Sequence, residues 1–212
     1  MTYAIELNGI SKAYGDHVVL DNFNLKIEEG AFLAVTGRSG AGKSTLLNII
    51  GLLESADSGT LILSGIENPT LKSSKGRQLL KTRVGYLFQN FGLVEEETVL
   101  YNLKISTKFR GFSKTEERDS IARALEKVNL SGYEKKKVFQ LSGGEQQRVS
   151  VAKLLLKSPD IILADEPTGS LDAGNRDVIM SLLKDLNDSG KTVVVVTHDP
   201  VVKASAKESL ML

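Results

Sequence analysis

The chain has 212 residues, in which 27 lysines and arginines against 26 aspartates and glutamates leave a net charge of +1. That length suits one domain, and hydrophobic residues at 41% with charged residues at 25% exclude a disordered chain, while the near-neutral charge argues against nucleic acid as a partner. The absence of cysteine removes disulfides, thiolate metal sites and a cysteine nucleophile, and no apolar run approaches the roughly 18 residues of a membrane span.

Met1-Thr2-Tyr3-Ala4-Ile5-Glu6 carries neither a basic nor an apolar stretch, so no secretory signal is expected. Tyr3–Leu7, Val18–Leu20 and Phe23–Ile27 alternate between Gly9, Gly15 and Gly30, which predicts an antiparallel β region. Ala31–Thr36 is almost wholly apolar and reads as a strand buried on both faces. After a glycine-rich stretch, Thr45–Ile50 reads as a buried helix. Val84–Phe88, Ile161–Ala164 and Thr192–Thr197 are further runs of the parallel-sheet type. Between Phe91 and Leu156 the pattern turns helical. Ser113 and Glu116 form a capping box before Ile121, Leu125 and Val128, and a second helix is predicted from about Glu145 to Leu156, before Pro159. A third is predicted over about Asn175 to Leu186. Strand–helix alternation with a helical insertion predicts a mostly parallel sheet core in a two-lobed molecule. The runs Glu95–Glu97 and Lys135–Lys137 read as solvated charge.

Gly37-Arg38-Ser39-Gly40-Ala41-Gly42-Lys43-Ser44 fits the phosphate-loop pattern G-x-x-x-x-G-K-[ST] without a mismatch, between a predicted strand and a predicted helix. Glycines let successive backbone N–H groups turn toward phosphate oxygens, and the helix start adds partial positive charge. Lys43 is then expected on the β- and γ-phosphates and Ser44 on Mg²⁺. The strand Ile161–Ala164 ends in Asp165 and Glu166, where ligands of open parallel sheets bind. Asp165 is the expected second Mg²⁺ contact, and Glu166 the expected acceptor of a proton from attacking water. His198, after another apolar strand, is placed to touch a γ-phosphate, whereas His17 reads as a plain turn residue.

Leu141-Ser142-Gly143-Gly144-Glu145 precedes a predicted helix. Ser142 and Glu145 have capping-box spacing, but a cap does not require two adjacent glycines, and bare N–H groups there suit a second phosphate contact. With Gln146-Gln147-Arg148 following, the segment resembles the signature of the ABC-type ATPases, a resemblance that extends over essentially the whole chain. Gln89 matches the family's Q-loop, Ser170-Leu171-Asp172 its D-loop and His198 its switch histidine. Tyr14 lies where the family places an adenine-stacking ring.

The resemblance implies a P-loop NTPase fold of the ABC ATPase type: a single domain over 1–212, with a nucleotide-binding lobe of 1–89 and 158–212 and a helical lobe of 90–157. It implies that ATP and Mg²⁺ are bound. ATP would lie on Tyr14, Gly37–Ser44, Thr45 and Gln89, and Mg²⁺ on Ser44, Gln89 and Asp165. It implies a head-to-tail pair in which Ser142, Gly143, Gly144, Glu145 and Asp172 of one copy meet the ATP of the other. Glu166 would serve as base, and His198 would hold the γ-phosphate. Arg83–Leu93 and Ala164–Asp172 look like the branch of macrolide, lipoprotein and bacteriocin exporters, whose ATPases often work beside a separate permease on the inner face of the membrane. Neither an appended regulatory domain nor fused membrane spans are read in the chain. Some members of that branch drive signalling or cell-wall remodelling instead of transport, and the sequence leaves that alternative open.

Overall fold

A computed structural model describes residues 2–212; Met1, where the expectation of no secretory signal begins, lies outside the described residues. The alternating start of the chain folds as β1 (Tyr3–Tyr14) and β2 (His17–Glu28), an antiparallel hairpin that turns through Gly15 at φ 60°. Two later strands extend it, β4 (Ser58–Leu63) and β5 (Ile66–Glu67), giving the antiparallel order β2-β1-β4-β5. The second sheet is parallel throughout. It contains β3 (Phe32–Thr36), β6 (Val84–Leu87), β7 (Ile161–Asp165), β8 (Thr192–Val196) and β9 (Glu208–Met211), in the order β6-β7-β8-β3-β9.

The uniformly apolar strands are those with both faces covered, as parallel strands must be. On β7, Ile161 and Leu163 join one hydrophobic cluster while Ile162 and Ala164 join the other. On β8, Val194 and Val196 face the first cluster and Val193 and Val195 the second. The first cluster packs the parallel sheet against the antiparallel sheet and α1 (Lys43–Ile50). The second packs it against helices, so the helical segment and the sheet share that cluster.

Those helices are α3 (Val99–Thr107), α4 (Lys114–Lys127), α5 (Gly143–Lys157) and α6 (Ala173–Asp188). Two short helices, α2 (Ser74–Thr82) and α7 (Pro200–Ser205), complete the set. The capping box expected at Ser113 and Glu116 is formed, with Ser113 N donating to Glu116 Oε2 at 2.8 Å. The helix expected from Glu145 begins two residues earlier, because Ser142 caps it and both glycines enter its first turn. The helix expected from Asn175 likewise starts at Ala173, capped by Asp172.

Candidate nucleotide-binding site

The loop that leaves β3 is shaped by two glycines that no other residue can replace without strain. Gly37 has φ 151° and Gly42 φ 90°; a Cβ would lie 2.6 Å from the Leu212 carbonyl oxygen at the first and 2.6 Å from Val19 Cγ1 at the second. Gly42 also caps α1 and offers no side chain to accept from it, so the first amides of that helix have no acceptor within the helix and stay available to a ligand. Lys43 Nζ donates to the carbonyls of Gly37 and Arg38 at 3.0 and 2.8 Å, holding its ammonium over the same loop. A ring of N–H groups with a cation beside it is a cradle for a polyanion.

β7 brings the acids to this loop. Ser44 Oγ donates to Asp165 Oδ1 at 3.2 Å across 121 residues of sequence. Burial pushes the Asp165 carboxyl above the usual carboxylate range; the Ser44 bond and the Lys43 charge oppose that rise, and Glu166 adds to it. An alcohol oxygen beside a desolvated carboxylate is a hard-oxygen donor set that fits Mg²⁺. Among the described residues no cluster of three His, Asp or Glu side chains stands ready to hold a metal. The remaining ligands of a cation here must come from bound phosphate, from water or from an amide such as Gln89.

Glu166 leaves the strand in the left-handed region at φ 43°, a conformation that costs a non-glycine residue roughly 1 kcal/mol or more and gathers at functional sites. The turn brings its carboxylate to the residue that follows the end of β8. Glu166 N donates to the Val196 carbonyl at 3.0 Å, and Glu166 Oε1 lies 2.7 Å from His198 Nδ1. The His198 side chain is 72% exposed and the Glu166 side chain 16%. The sequence expectation set His198 against phosphate; the structure places the ring first against Glu166, a pairing across 32 residues that no spacing rule exposes.

Around these groups lies an open cavity of about 400 Å³. Tyr14, Ser39, Gly40, Gly42, Lys43, Ser44, Thr45, Gln89, Asp165 and Glu166 line it, so the structure gathers most of the predicted nucleotide residues on one wall. Gly37, Arg38 and Ala41 shape the loop behind it. His17, Val19 and Val196 also line it, and sequence reasoning missed all three: His17 read as a plain turn residue, and the valines as strand. Tyr14 is 49% exposed, and its hydroxyl donates to Glu54 Oε1 at 2.5 Å; Lys12 Nζ sits 5.5 Å from the ring centre and 3.4 Å from Glu54.

The second glycine motif stands apart, and none of the cavity's lining comes from it. Ser142 N donates to Glu145 Oε2 at 2.8 Å, and Tyr133 Oη donates to Glu145 Oε1 at 2.8 Å. Both oxygens of Glu145 are thus held within the chain, and the bond from Ser142 N in particular lowers its carboxyl below the usual range. The two glycines differ. Gly144 is buried, and a Cβ there would fall 2.5 Å from the Asn175 amide. Gly143 is exposed, and a Cβ would meet only Phe91 Cζ, at 3.7 Å. Packing therefore explains Gly144 and leaves Gly143 unexplained. Asp172 caps α6, accepting from Asn175 N at 2.9 Å and from Asn175 Nδ2 at 2.7 Å.

These features define a P-loop nucleotide-binding domain, and comparison with known proteins narrows the class. Residues 20–169 match the family described as ABC transporter, and the chain belongs to that family. It is 43% identical over 206 residues to the uncharacterized ABC transporter ATP-binding protein MJ0796 of Methanocaldococcus jannaschii, covering 92% of this chain and 87% of that one. It is 39% identical over 206 residues to the macrolide export ATP-binding/permease protein MacB of Mannheimia succiniciproducens. That match covers 95% of this chain and 32% of MacB, so the chain spans about a third of the length of such relatives. The solved dimeric structure of MJ0796, a bacterial ABC transporter cassette, superposes with TM-score 0.90 at 39% identity, covering 98% of this chain and 94% of that one. The chain is a cassette of the ABC transporter family, similar over nearly its whole length to about a third of the length of proteins named for macrolide export.

Proposed function

We propose that two copies of the protein pair head to tail around two ATP molecules and hydrolyse them to drive a membrane permease. In this reading Gly37–Ser44 and Thr45 cradle the phosphates, Lys43 neutralises them and Tyr14 stacks on adenine. Ser44 and Asp165, with Gln89, would hold Mg²⁺, which would supply charge neutralisation to the phosphates. Glu166 takes the proton of the attacking water, and His198, ordered by its contact with Glu166, holds the γ-phosphate. Ser142 and Gly143 close over the partner's ATP; Gly144 and Glu145 keep that turn in shape, and Asp172 lies beside it. Positioning and charge stabilisation then carry most of the catalysis, as is general for phosphoryl transfer.

The observation that carries this reading is the asymmetry of the two glycine motifs. One lines a cavity with acids and a cation, while the other presents an exposed glycine that its own fold does not require. Dimerisation draws support from the dimeric form of the similar MJ0796 cassette, and hydrolysis from its structure in a post-hydrolysis state bound to ADP and Pi. Residues 90–157 would act as a lobe that tilts against 1–89 and 158–212 as ATP binds and leaves.

The permease contact fits the groove of about 360 Å³ between β6, α3 and α5. Leu53, Ile105 and Phe109 line it and stay 46–50% exposed, an apolar surface that a cytoplasmic segment of a membrane subunit can cover. Among the described residues no helix is long and apolar enough to cross a membrane, and the protein is proposed to sit on the inner face of the cell membrane through that contact. Export of a peptide, lipoprotein or antimicrobial compound is inferred from relatives named for macrolide and syringafactin export. The test is a mild-detergent pull-down of tagged protein from native membranes. Recovery of a polytopic permease is the expected result; recovery of soluble partners alone sinks the transporter role and leaves the ATPase chemistry standing.

A further inference from the structure

Between α5 and the segment that follows Glu166 lies a polar junction for which the cavity chemistry has no use. Gln147, 1% exposed, donates from Nε2 to the Pro167 carbonyl at 2.8 Å. Arg148, one residue on, donates from its guanidinium to Asn175 Oδ1. Asn175 in turn gives Nδ2 to Asp172 Oδ2 at 2.7 Å and its backbone N to Asp172 Oδ1 at 2.9 Å. The same amide leaves no room for a Cβ on Gly144. Asn175 thus touches the glycine turn, the helix behind it and Asp172 with one side chain. Gln147 Oε1, Arg148 Nε and Thr168 Oγ1 are buried at this junction without a hydrogen-bond partner among the described residues. Each such atom costs about 1–3 kcal/mol, so a seam built only for stability would be apolar.

We propose that Asn175 is a positioning residue that locks Ser142–Gly144 and Asp172 into one rigid unit, so that both reach the partner's nucleotide together. This rests on the head-to-tail reading, in which both elements serve the other copy's site. The geometry favours it because Asn175 is absent from the lining of its own chain's cavity and its hydrogen bonds run between the two outward-facing elements. A chain that binds ATP normally can therefore fail to complete its partner's site when this one amide is lost. Arg148 acts in series with Asn175, so the two substitutions together should cost no more than the worse alone.

The test uses Glu166→Gln protein, which is expected to accumulate as an ATP-bound dimer, with the dimerisation constant measured by sedimentation. Adding Asn175→Ala should weaken ATP-driven dimerisation about tenfold or more. Nucleotide affinity of the dilute monomer should not change; the fall in melting temperature caused by leaving the Arg148 guanidinium without its acceptor should be recovered when Arg148→Met is added, and dimerisation should stay weak in that double variant. Unchanged dimerisation overturns the proposal. So does a loss of dimerisation that Arg148→Met repairs together with the melting temperature, since the residue would then only hold the fold. A Glu166→Gln parent that stays monomeric with ATP refutes the head-to-tail reading itself, and is seen before Asn175 is touched.

Discussion

The two glycine motifs are built on one plan and end in different situations. Both put glycine at a helix start: Gly42 caps the eight-residue α1, and Gly143 and Gly144 open the fifteen-residue α5. Around the first the chain gathers Lys43, Asp165, Glu166 and Gln89 on one cavity wall. Around the second it places no cavity lining at all; the buried glycine is spoken for by Asn175 and the exposed one by nothing. A helix start alone does not make a site; what the fold brings opposite it does. The first motif is met by its own chain, and the second, in the proposed dimer, by a second copy.

The sharpest way to break that comparison is at Glu166. Glu166→Gln should leave ATP binding intact and lower turnover by about 10²–10⁴-fold, the usual range for a general base. Wild-type turnover in steady-state assays would remove Glu166 from that role. The glycines come next. Gly144→Ala forces its methyl into the Asn175 amide, and overpacking of about 1–3 kcal/mol, partly offset by the better helix propensity of alanine, should lower the melting temperature by several degrees. Gly143→Ala meets only Phe91 Cζ at ordinary contact distance, so it should melt like the parent yet hydrolyse ATP at least about tenfold more slowly. Equal effects of the two on melting would erase the distinction between them.

A smaller effect is expected at Asp165. Its folded pKa is raised above the unfolded value, so the folded chain holds more protons than the unfolded one in that window and loses stability as pH climbs through it. Asp165→Asn should therefore melt up to about 2 °C higher than the parent at neutral pH without ligand, and should lose the added stabilisation given by Mg²⁺ with ATP, both read by calorimetry. A separate effect, read only through pH, lies in the groove. Burial, helped by the nearby Lys153, pulls Lys157 down to about 8 from 10.5, while its Nζ donates to the Leu80 carbonyl. The unfolded chain then binds the extra proton between those values, so stability should rise modestly from pH 8 to pH 10.5. Lys157→Met should flatten that rise.

Residues whose role depends on local chemistry were legible in the sequence. The parallel strands β3, β6, β7 and β8 announced themselves by their nearly unbroken apolar runs, and the loop after β3 by its glycines, Lys43 and Ser44. Strands with weak patterns did not: β9 is a polar, largely exposed edge that takes its register from β3, and β5 is a pair of residues beside a turn. α3 hides its start behind Thr98, whose side chain accepts from Tyr101 N after an acidic run. Contacts between distant residues were the least legible. The Glu166–His198 and Arg148–Asn175 pairs, and the place of His17 in the cavity wall, are fixed by sheet order and helix packing, which no single segment encodes.

Everything proposed for the dimer depends on one nucleotide being shared between Gly37–Ser44 of one copy and Ser142–Gly144 of another. The chain contains no cysteine, so introduced thiols report without background. Glu166→Gln proteins bearing either Ser39→Cys or Ser142→Cys, mixed and oxidised, should form a disulfide-linked heterodimer with ATP and Mg²⁺ and almost none with ADP. An ATP-dependent dimer that sediments as two copies yet never crosslinks at these positions would contradict the shared site.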